Sequence, residues 1–462
     1  MRRPSPVTAL PPGRLEERFE DKKPPYDQAE ALAEANRCLY CVDAPCIQAC
    51  PTEIDIPTFI RKIATGNVKG AARTILSANI LGATCAQACP VEVLCAGSCV
   101  YNQWEREPIQ IGRLQRYAVE TTLGKSPRLF EPKPSTGKRI ALIGSGPASI
   151  AAAGMLALEG HSCTIFERKL IPGGLNTLGI APYKMKGEDA LREIEWILQL
   201  APGRIELRTG VEIVAGGDAT LLPTQVSAAT LLREYDGVFL GLGLGADSAL
   251  GIPGEEGPGV WGATELIERI KAQPGLTLGA AKRAIVIGGG NTAIDIAHEL
   301  AVLGVQVDMV YRRGESDMSG YAHELEAARR DGVRFVENRA PVSVERESGR
   351  VTGVRFAVTE SGKPVAGQEE TLSADLVVVA IGQNRATQVA LAFPGVQLDA
   401  KGRVVVDKST HRTGNAKVWS GGDCVNGGKE VVNAAAEAKV AVADMNRQLG
   451  NGNGNGNGIG SN

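Results

Sequence analysis

The sequence has few aromatic residues, few histidines and no excess of charge of either sign. Phe, Trp and Tyr make up 4% of its 462 residues, there are 4 histidines, and glycine is abundant at 56 residues. Abundant glycine suits a chain whose backbone approaches ligands closely. The formal net charge of -2 argues against a nucleic-acid-binding surface on the scale of the whole chain. With 43% hydrophobic and 22% charged residues, disorder over most of the length is excluded.

Long apolar runs are also missing. The sequence contains no uncharged stretch of about 18 residues of the kind that spans a membrane. Its first residues hold no apolar core of the kind that a signal peptide needs. We therefore expect a cytoplasmic protein that binds neither membrane nor nucleic acid. Because disulfides are disfavoured in the cytoplasm, clustered cysteines there indicate metal.

Cysteine is concentrated in one region, since 8 of the 10 cysteines lie between Cys38 and Cys99. They form two runs, CLYCVDAPCIQACP and CAQACPVEVLCAGSC. Each run contains a Cys-Pro pair and the first opens with a C-x2-C spacing, as in bacterial ferredoxins, so we predict two [4Fe–4S] clusters. Structural zinc is the competing interpretation. Because no histidine lies in this region, a zinc site there would have to be built from cysteine alone.

Two segments predict a strand, a glycine turn and a helix in succession: KRIALIGSGPASIAAAGMLALEG and KRAIVIGGGNTAIDIAHELAVLG. Such a turn lets the backbone approach a pyrophosphate at a helix N-terminus. The strand after the first turn ends at Glu167, an acid that suits a ribose hydroxyl. The strand after the second turn ends at Arg312 and Arg313, which favour a 2′-phosphate. The second site is therefore predicted to bind NADP(H), with NAD(H) as the alternative.

Together with the segment Ser420-Gly421-Gly422-Asp423, this layout resembles that of two-dinucleotide-binding flavoproteins. The fold class is predicted to be α/β, with an N-terminal α-helical two-[4Fe–4S] domain followed by two nested Rossmann-like domains for FAD and NAD(P). The predicted divisions are a flexible arm (1–26), a helical Fe–S domain (27–124), a linker (125–137), a first FAD-binding segment (138–254), an NAD(P)H-binding domain (255–372), a second FAD-binding segment (373–450) and a disordered tail (451–462).

The cysteine region resembles a known module more closely. RCLYCVDAPCIQACPTEIDIPTFIRKIATGN, NILGATCAQACPVEVLCAGSC and EPIQIGRLQRYA look like the N-terminal module of dihydropyrimidine dehydrogenases. They also resemble the small subunits of bacterial NAD(P)-dependent dihydropyrimidine dehydrogenase and of glutamate synthase. The resemblance covers about residues 27–445.

This resemblance implies specific cluster ligands. One cluster would be held by Cys38, Cys41, Cys46 and Cys99, and the other by Cys50, Cys89, Cys95 and Gln115. Cys85 would be a non-ligand. Glutamine at position 115 favours the pyrimidine branch, because glutamate is associated with the glutamate synthase branch.

The resemblance also implies the cofactor contacts. Those to FAD would be Gly144, Ser145, Gly146, Pro147, Ala148, Glu167, Arg168, Gly174, Leu175, Lys184, Gly422, Asp423 and Val431. Those to NADP(H) would be Gly289, Gly290, Asn291, Thr292, Arg312, Arg313, Ala380, Ile381 and Gly382. No catalytic side chain is predicted, because the hydride would pass between bound cofactors.

The function implied is that of an electron-input subunit in a hetero-oligomer. NAD(P)H would be oxidised at FAD, and electrons would pass through the two clusters to an FMN and Fe–S partner that reduces uracil or thymine to the 5,6-dihydro form. A glutamate synthase small subunit is one alternative, and a zinc-stabilised nucleotide-binding scaffold without turnover is another. A thioredoxin-reductase type of redox disulfide is excluded, since no cysteine lies between Cys163 and Cys424.

Overall fold

A computed structural model describes residues 9–124, 128–215, 221–279 and 281–450. The N-terminal region is helical, with α1 (Gln28–Ala35), α2 (Pro45–Gln48), α3 (Ile56–Ala64), α4 (Val68–Ala78), α5 (Gly82–Ala88) and α6 (Ile111–Leu123). In α3, Asp55 accepts the backbone N–H of Thr58 as an N-cap, and apolar residues repeat on one face. Phe59 of α3, Ile75 of α4 and Leu114 of α6 are consequently buried in one core.

The chain then builds a parallel sheet. Its elements are β1 (Arg139–Ile143), α7 (Pro147–Leu158), β2 (Ser162–Glu167), α8 (Leu175–Leu178), α9 (Gly187–Leu198), β3 (Ile205–Thr209), the short pair β4 (Glu212–Val214) and β5 (Gln225–Ser227), α10 (Ala228–Glu234) and β6 (Gly237–Leu240). The fifth strand, β15 (Val418–Ser420), comes from near the C-terminus, so that the order is β15-β6-β1-β2-β3. We call this the flavin unit.

A second unit is inserted between the two segments of the flavin unit. It contains β7 (Val260–Gly262), α11 (Ala263–Ala272), β8 (Arg283–Ile287), α12 (Asn291–Val302), β9 (Gln306–Val310), α13 (Ala322–Arg330), β10 (Arg334–Val336), β11 (Arg339–Glu347), β12 (Arg350–Glu360), β13 (Lys363–Ser373) and β14 (Leu376–Val379). A parallel sheet has the order β10-β9-β8-β14-β7, and β11-β12-β13 form an antiparallel sheet that was not predicted. We call this the nucleotide unit.

The chain returns to the flavin unit through α14 (Thr387–Leu391), β15 (Val418–Ser420), α15 (Asp423–Asn426) and α16 (Val431–Gly450). The predicted α/β class with two parallel sheets is confirmed. The predicted boundary at residue 372 differs from the structure, because β14 pairs with β7 and β8 of the nucleotide unit. The apolar sequence of β14 suits either parallel sheet, so the pattern alone could not assign it.

The two glycine turns are structurally equivalent. A Cβ atom at Gly144 would lie 2.5 Å from the carbonyl oxygen of Gly241, just after β6. A Cβ atom at Gly288 would lie 2.3 Å from the carbonyl oxygen of Ala380, just after β14. In both units the turn therefore lies against the chain that leaves the neighbouring strand, where only glycine fits.

Residues 9–26 differ from the expected flexible arm, because they pack against both units. Leu15 and Phe19 are buried with residues of the nucleotide unit. Glu16, fully buried, accepts a hydrogen bond from Lys271 Nζ at 2.7 Å and one from the backbone N–H of Gly187 at 2.9 Å. These partners are distant in sequence, so local composition could not reveal them.

Some expectations fall outside the residues that the structure describes: residues 1–8 of the arm, 125–127 of the linker and the tail 451–462. Among the described residues, no helix is both long enough and apolar enough to cross a membrane.

Candidate cofactor sites

A cavity of about 1210 Å³ lies at the carboxyl ends of the central strands of the flavin unit. This volume exceeds that of most small-ligand pockets, which suits a dinucleotide. Every predicted FAD contact except Lys184 lines it: Gly144, Ser145, Gly146, Pro147, Ala148, Glu167, Arg168, Gly174, Leu175, Gly422, Asp423 and Val431. The structure thus gathers residues from both segments of the flavin unit around one space.

The glycine turn after β1 is held by Glu167 at the end of β2. One carboxylate oxygen accepts the backbone N–H of Ser145 at 2.8 Å and its hydroxyl at 2.7 Å, and the other accepts the backbone N–H of Lys169 at 2.7 Å. Nothing lies within 4 Å of where a Cβ of Gly146 would point, at the N-cap of α7. The helix N-terminus is therefore accessible to a phosphate group.

The C-terminal segment of the flavin unit closes the cavity from the other side. A Cβ atom at Gly422 would meet the Cβ of Ala148 at 3.0 Å, so the two segments pack closely. The backbone N–H of Gly422 donates to Glu437 of α16 at 2.6 Å. This bond fixes the segment before α16, whose first residues line the cavity.

A buried polar atom supports occupation of this cavity by a polar ligand. Asn176 lines the cavity, is 4% exposed, and its Oδ1 has no hydrogen-bond partner within the described chain. An amide oxygen left unpaired in a buried site is unfavourable, and a ligand that carries N–H or O–H groups would satisfy it. Asn176 was not predicted as a contact. The only sign of this contact in the sequence is that Asn176 lies two residues after the predicted contact Gly174.

The predicted nucleotide contacts are grouped elsewhere. Gly289, Gly290, Asn291 and Thr292 form the turn between β8 and α12, whereas Arg312 and Arg313 follow β9 with exposed side chains.

The ring of Tyr311 covers this turn. A Cβ atom at Gly289 would lie 2.5 Å from the Tyr311 ring, and the Arg313 guanidinium lies 5.2 Å from the ring centre. The nucleotide turn does not line the flavin cavity, but Val379 and Gln383, on either side of the predicted contacts Ala380, Ile381 and Gly382, do.

Lys184, predicted to contact FAD, is not among the residues that line the flavin cavity. Its ammonium group is 2.7 Å from Asp295 Oδ1 and 2.7 Å from Glu324 Oε1, both in the nucleotide unit. Burial alone would lower the pKa of Lys184, but the two carboxylates raise it.

The four cysteines predicted to hold one cluster line a single small cavity in the helical region. We call Cys38, Cys41, Cys46 and Cys99 the first thiol set. Apolar side chains, including Ile56 and Ile60, form the rest of the wall. Burial, followed by the nearby thiols Cys38 and Cys99, raises the pKa of Cys46 to about 12. Four thiols around one apolar cavity are the donor set that a [4Fe–4S] cluster requires.

We call Cys50, Cys89, Cys95 and Gln115 the second set. Burial raises the pKa of Cys89 well above its usual value, and the neighbouring thiols Cys85, Cys95 and Cys50 add to this effect. Burial and Cys50 raise the pKa of Cys95 to about 12. Gln115 is buried, and its Nε2 donates to the carbonyl of Gly82 at 2.8 Å.

Cys85 lies beside the second set but has its own partner, since Asn79 Nδ2 donates to its sulfur at 3.1 Å. Within the described residues, no group of three or more His, Cys, Asp or Glu side chains is arranged to hold a single metal ion.

The segment from Glu430 into α16 extends from the flavin cavity towards residues beside the second set. Glu430 lines the cavity, and its charge also contributes to raising the pKa of Cys89 after burial and the thiols. Further along, Lys439 Nζ donates to the carbonyl of Thr52 at 3.2 Å, and the Thr52 hydroxyl lies 3.4 Å from Cys50 Sγ. α16 therefore borders the flavin cavity and also bonds Thr52, which lies beside Cys50 of the second set.

Comparison with known proteins gives two matching family models. Residues 15–126 match the model described as dihydropyrimidine dehydrogenase domain II, 4Fe-4S cluster, and residues 138–438 match that of the pyridine nucleotide-disulphide oxidoreductases. The chain is 33% identical to the glutamate synthase [NADPH] small chain of Escherichia coli, over 90% of this chain and 91% of the relative.

It is also 33% identical to the NAD-dependent dihydropyrimidine dehydrogenase subunit PreT of the same organism, over 93% of this chain and 97% of the relative. Among solved structures, FprA from Mycobacterium tuberculosis in complex with NADPH superimposes with a TM-score of 0.53 at 22% identity, covering 69% of this chain and 85% of that one. This likeness shows the fold.

Proposed function

The chain belongs to the pyridine nucleotide-disulphide oxidoreductase family, in the branch that carries a dihydropyrimidine dehydrogenase-type 4Fe–4S module, and we propose that it is the electron-input subunit of a dihydropyrimidine dehydrogenase. The family expected from the sequence is confirmed. The chain is an NAD(P)H-dependent FAD and iron–sulfur oxidoreductase. The partner and the final substrate are what we propose.

When bound, FAD accepts a hydride from NAD(P)H and the iron–sulfur clusters carry single electrons. The residues around the flavin cavity would hold FAD: Glu167 at its ribose, the N-terminus of α7 at its pyrophosphate, and Asn176 and Asp423 at further polar groups. The turn from Gly289 to Thr292 would hold the second nucleotide, with Arg312 and Arg313 at its 2′-phosphate.

The observation that carries the proposal is that α16 lines the flavin cavity with Val431 and also bonds Thr52, the neighbour of Cys50 in the second set. We propose that electrons leave the flavin unit for the helical module on this side. The first thiol set lies nearer the surface, since its four cysteines are half-buried and Val42, between two of them, is 97% exposed. We propose that the partner, an FMN and Fe–S subunit that reduces uracil or thymine, receives electrons at this end.

Gln115 supports the pyrimidine branch. Its amide nitrogen donates a hydrogen bond to the carbonyl of Gly82, so its side-chain carbonyl oxygen is the atom that would bind the cluster. Sequence identity does not separate the branches, because both relatives are 33% identical to this chain.

A glutamate synthase small subunit is the second candidate, and the arginine pair favours it. Arg312 and Arg313 suit NADPH, the nucleotide in the name of the glutamate synthase relative, whereas the PreT relative is named for NAD.

The test is to purify the chain together with the subunit that accompanies it and to measure NADPH and NADH oxidation. One set of assays contains uracil or thymine, and the other contains glutamine and 2-oxoglutarate. We expect oxidation that depends on uracil or thymine and a partner that contains FMN. Oxidation that depends on glutamine and 2-oxoglutarate would establish the second candidate instead. A colourless protein that contains zinc and no iron would contradict both.

A further inference from the structure

Lys184 belongs to the flavin unit, yet both of its carboxylate partners belong to the nucleotide unit. Asp295 lies on α12 and Glu324 on α13, and their side chains are 14% and 7% exposed. The hydroxyl of Tyr183 also donates to Asp295 Oδ1, at 2.7 Å. Because the Lys184 side chain is also only 14% exposed, this largely buried ammonium group between two carboxylates joins the units firmly: separating them would leave charges unpaired in a poorly solvated site.

A second contact between the units lies near the cavity. The hydroxyl of Tyr321, in the nucleotide unit, donates to Glu430 Oε1 at 2.8 Å, and Glu430 lines the flavin cavity. The backbone N–H of Tyr321 donates to Asn291 Oδ1 at 2.9 Å. Asn291 belongs to the nucleotide turn, so one residue connects that turn to the flavin cavity wall.

Both contacts act on the same helix. Asn291 is the first residue of α12, and Asp295 lies one turn later. The end of α12 that carries the nucleotide turn is therefore held at two points to the flavin unit. We call the two contacts the interdomain clamp: Lys184 with Asp295 and Glu324, and Tyr321 with Glu430.

We propose that Lys184 and Tyr321 are positioning residues, which hold the nucleotide turn in the orientation from which a bound nicotinamide reaches the flavin. The inference rests on the proposed nucleotide and flavin sites but not on the identity of the partner. Neither residue touches the reacting atoms. Their effect is on how often the bound nucleotide adopts a reactive arrangement, so it should appear in the rate of hydride transfer more than in nucleotide affinity.

The test is rapid-mixing measurement of flavin reduction by NADPH in the full-length holoprotein. Tyr321→Phe removes the hydroxyl bond and keeps the ring. We expect the limiting rate to fall about tenfold while the Kd for NADPH changes less than about threefold, with normal FAD content and normal reduction by dithionite. Lys184→Met should lower the rate further, and Lys184→Arg, which restores the charge between the carboxylates, should recover most of it.

Tyr235→Phe is the matched control, since it also removes a tyrosine hydroxyl, and Tyr235 lies between α10 and β6, outside the residues that line the flavin cavity. Its rate should equal that of the wild type. If Lys184→Met does not fold, Tyr321→Phe still decides the matter: an unchanged limiting rate in that variant overturns the proposal. Failure of NADPH to reduce the wild-type flavin would contradict the proposed function itself.

Discussion

Glu193 accepts two hydrogen bonds from Thr84, one from its backbone N–H at 3.1 Å and one from its hydroxyl at 2.5 Å. A third comes from the backbone N–H of Ala83 at 2.7 Å. Glu193 lies on α9 of the flavin unit, whereas Thr84 lies on α5, the helix that carries Cys85. One buried carboxylate thus holds the helical module against the flavin unit.

Burial raises the pKa of Glu193 to about 7, although its three hydrogen bonds oppose the shift. In the unfolded chain this pKa is near its ordinary value, so the folded protein binds the proton more tightly. The stabilisation is complete at low pH and is lost as the pH rises towards and through 7. We predict that the Glu193→Gln variant shows a weaker fall in thermal midpoint between pH 5 and pH 8 than the wild type, by the equivalent of roughly 2–3 kcal/mol.

Glu195→Gln provides the control, because Glu195 is exposed on the same helix. Its midpoints should follow those of the wild type at every pH. Parallel pH profiles for Glu193→Gln and the wild type would contradict the prediction.

Gly146 and Gly144 should respond differently to alanine. In Gly146→Ala the new methyl group enters open cavity space, so we predict a folded protein whose FAD affinity is reduced about tenfold or more. In Gly144→Ala the methyl group meets the Gly241 carbonyl at a backbone φ of +85°, so folding itself should suffer. Circular dichroism and flavin absorbance after gel filtration distinguish the two effects. Full FAD content in Gly146→Ala would exclude Gly146 as a pyrophosphate contact.

Cys85 and Cys89 lie on adjacent turns but should differ in iron content after substitution. Cys85→Ser should keep both clusters, because the Cys85 sulfur already has Asn79 as its partner. Cys89→Ser should lose one cluster, about four irons per chain. Gln115→Ala should change the EPR signal of one cluster and leave FAD in place. Loss of four irons from Cys85→Ser would refute the ligand assignment.

Arg312 is predicted to discriminate between the two nicotinamide nucleotides. Arg312→Ala should weaken NADPH binding about ten- to a hundredfold, the value of one charge-assisted hydrogen bond, and change NADH binding little. Steady-state KM values for both nucleotides measure this. Arg330→Ala, at an exposed position on α13, is the control. Equal losses for NADPH and NADH in Arg312→Ala would remove the argument for a phosphate contact.

Local chemistry explains which features were predictable. A pyrophosphate needs glycine at a turn and a cluster needs closely spaced thiols, so both sites leave short patterns in the sequence, and the structure gathers the residues of the flavin cavity and of the first thiol set. Lys184 shows the limit of such patterns. A lysine that follows α8, the helix whose residues line the cavity, could contact either a cofactor or a neighbouring domain. Only the folded chain shows which carboxylates it contacts.

Long-range packing accounts for the other differences. Residues 9–26 dock on partners distant in sequence, such as Lys271, and the assignment of β14 depends on which strands lie beside it. The sequence does not distinguish Asn176 as a contact, because asparagine is common near turns. Its role becomes visible only when its buried and unpaired oxygen is located.

The pair formed by Glu16 and Lys271 also bears on how the chain folds as it is synthesised. N-terminal segments generally fold first, as they leave the ribosome. Here Lys271 follows Glu16 by 255 residues, so residues 9–26 cannot dock until more than half of the chain has emerged. Residues 9–26 therefore reach their native place only after Lys271 has been made, in a nascent chain whose cysteine-rich helices have already been synthesised.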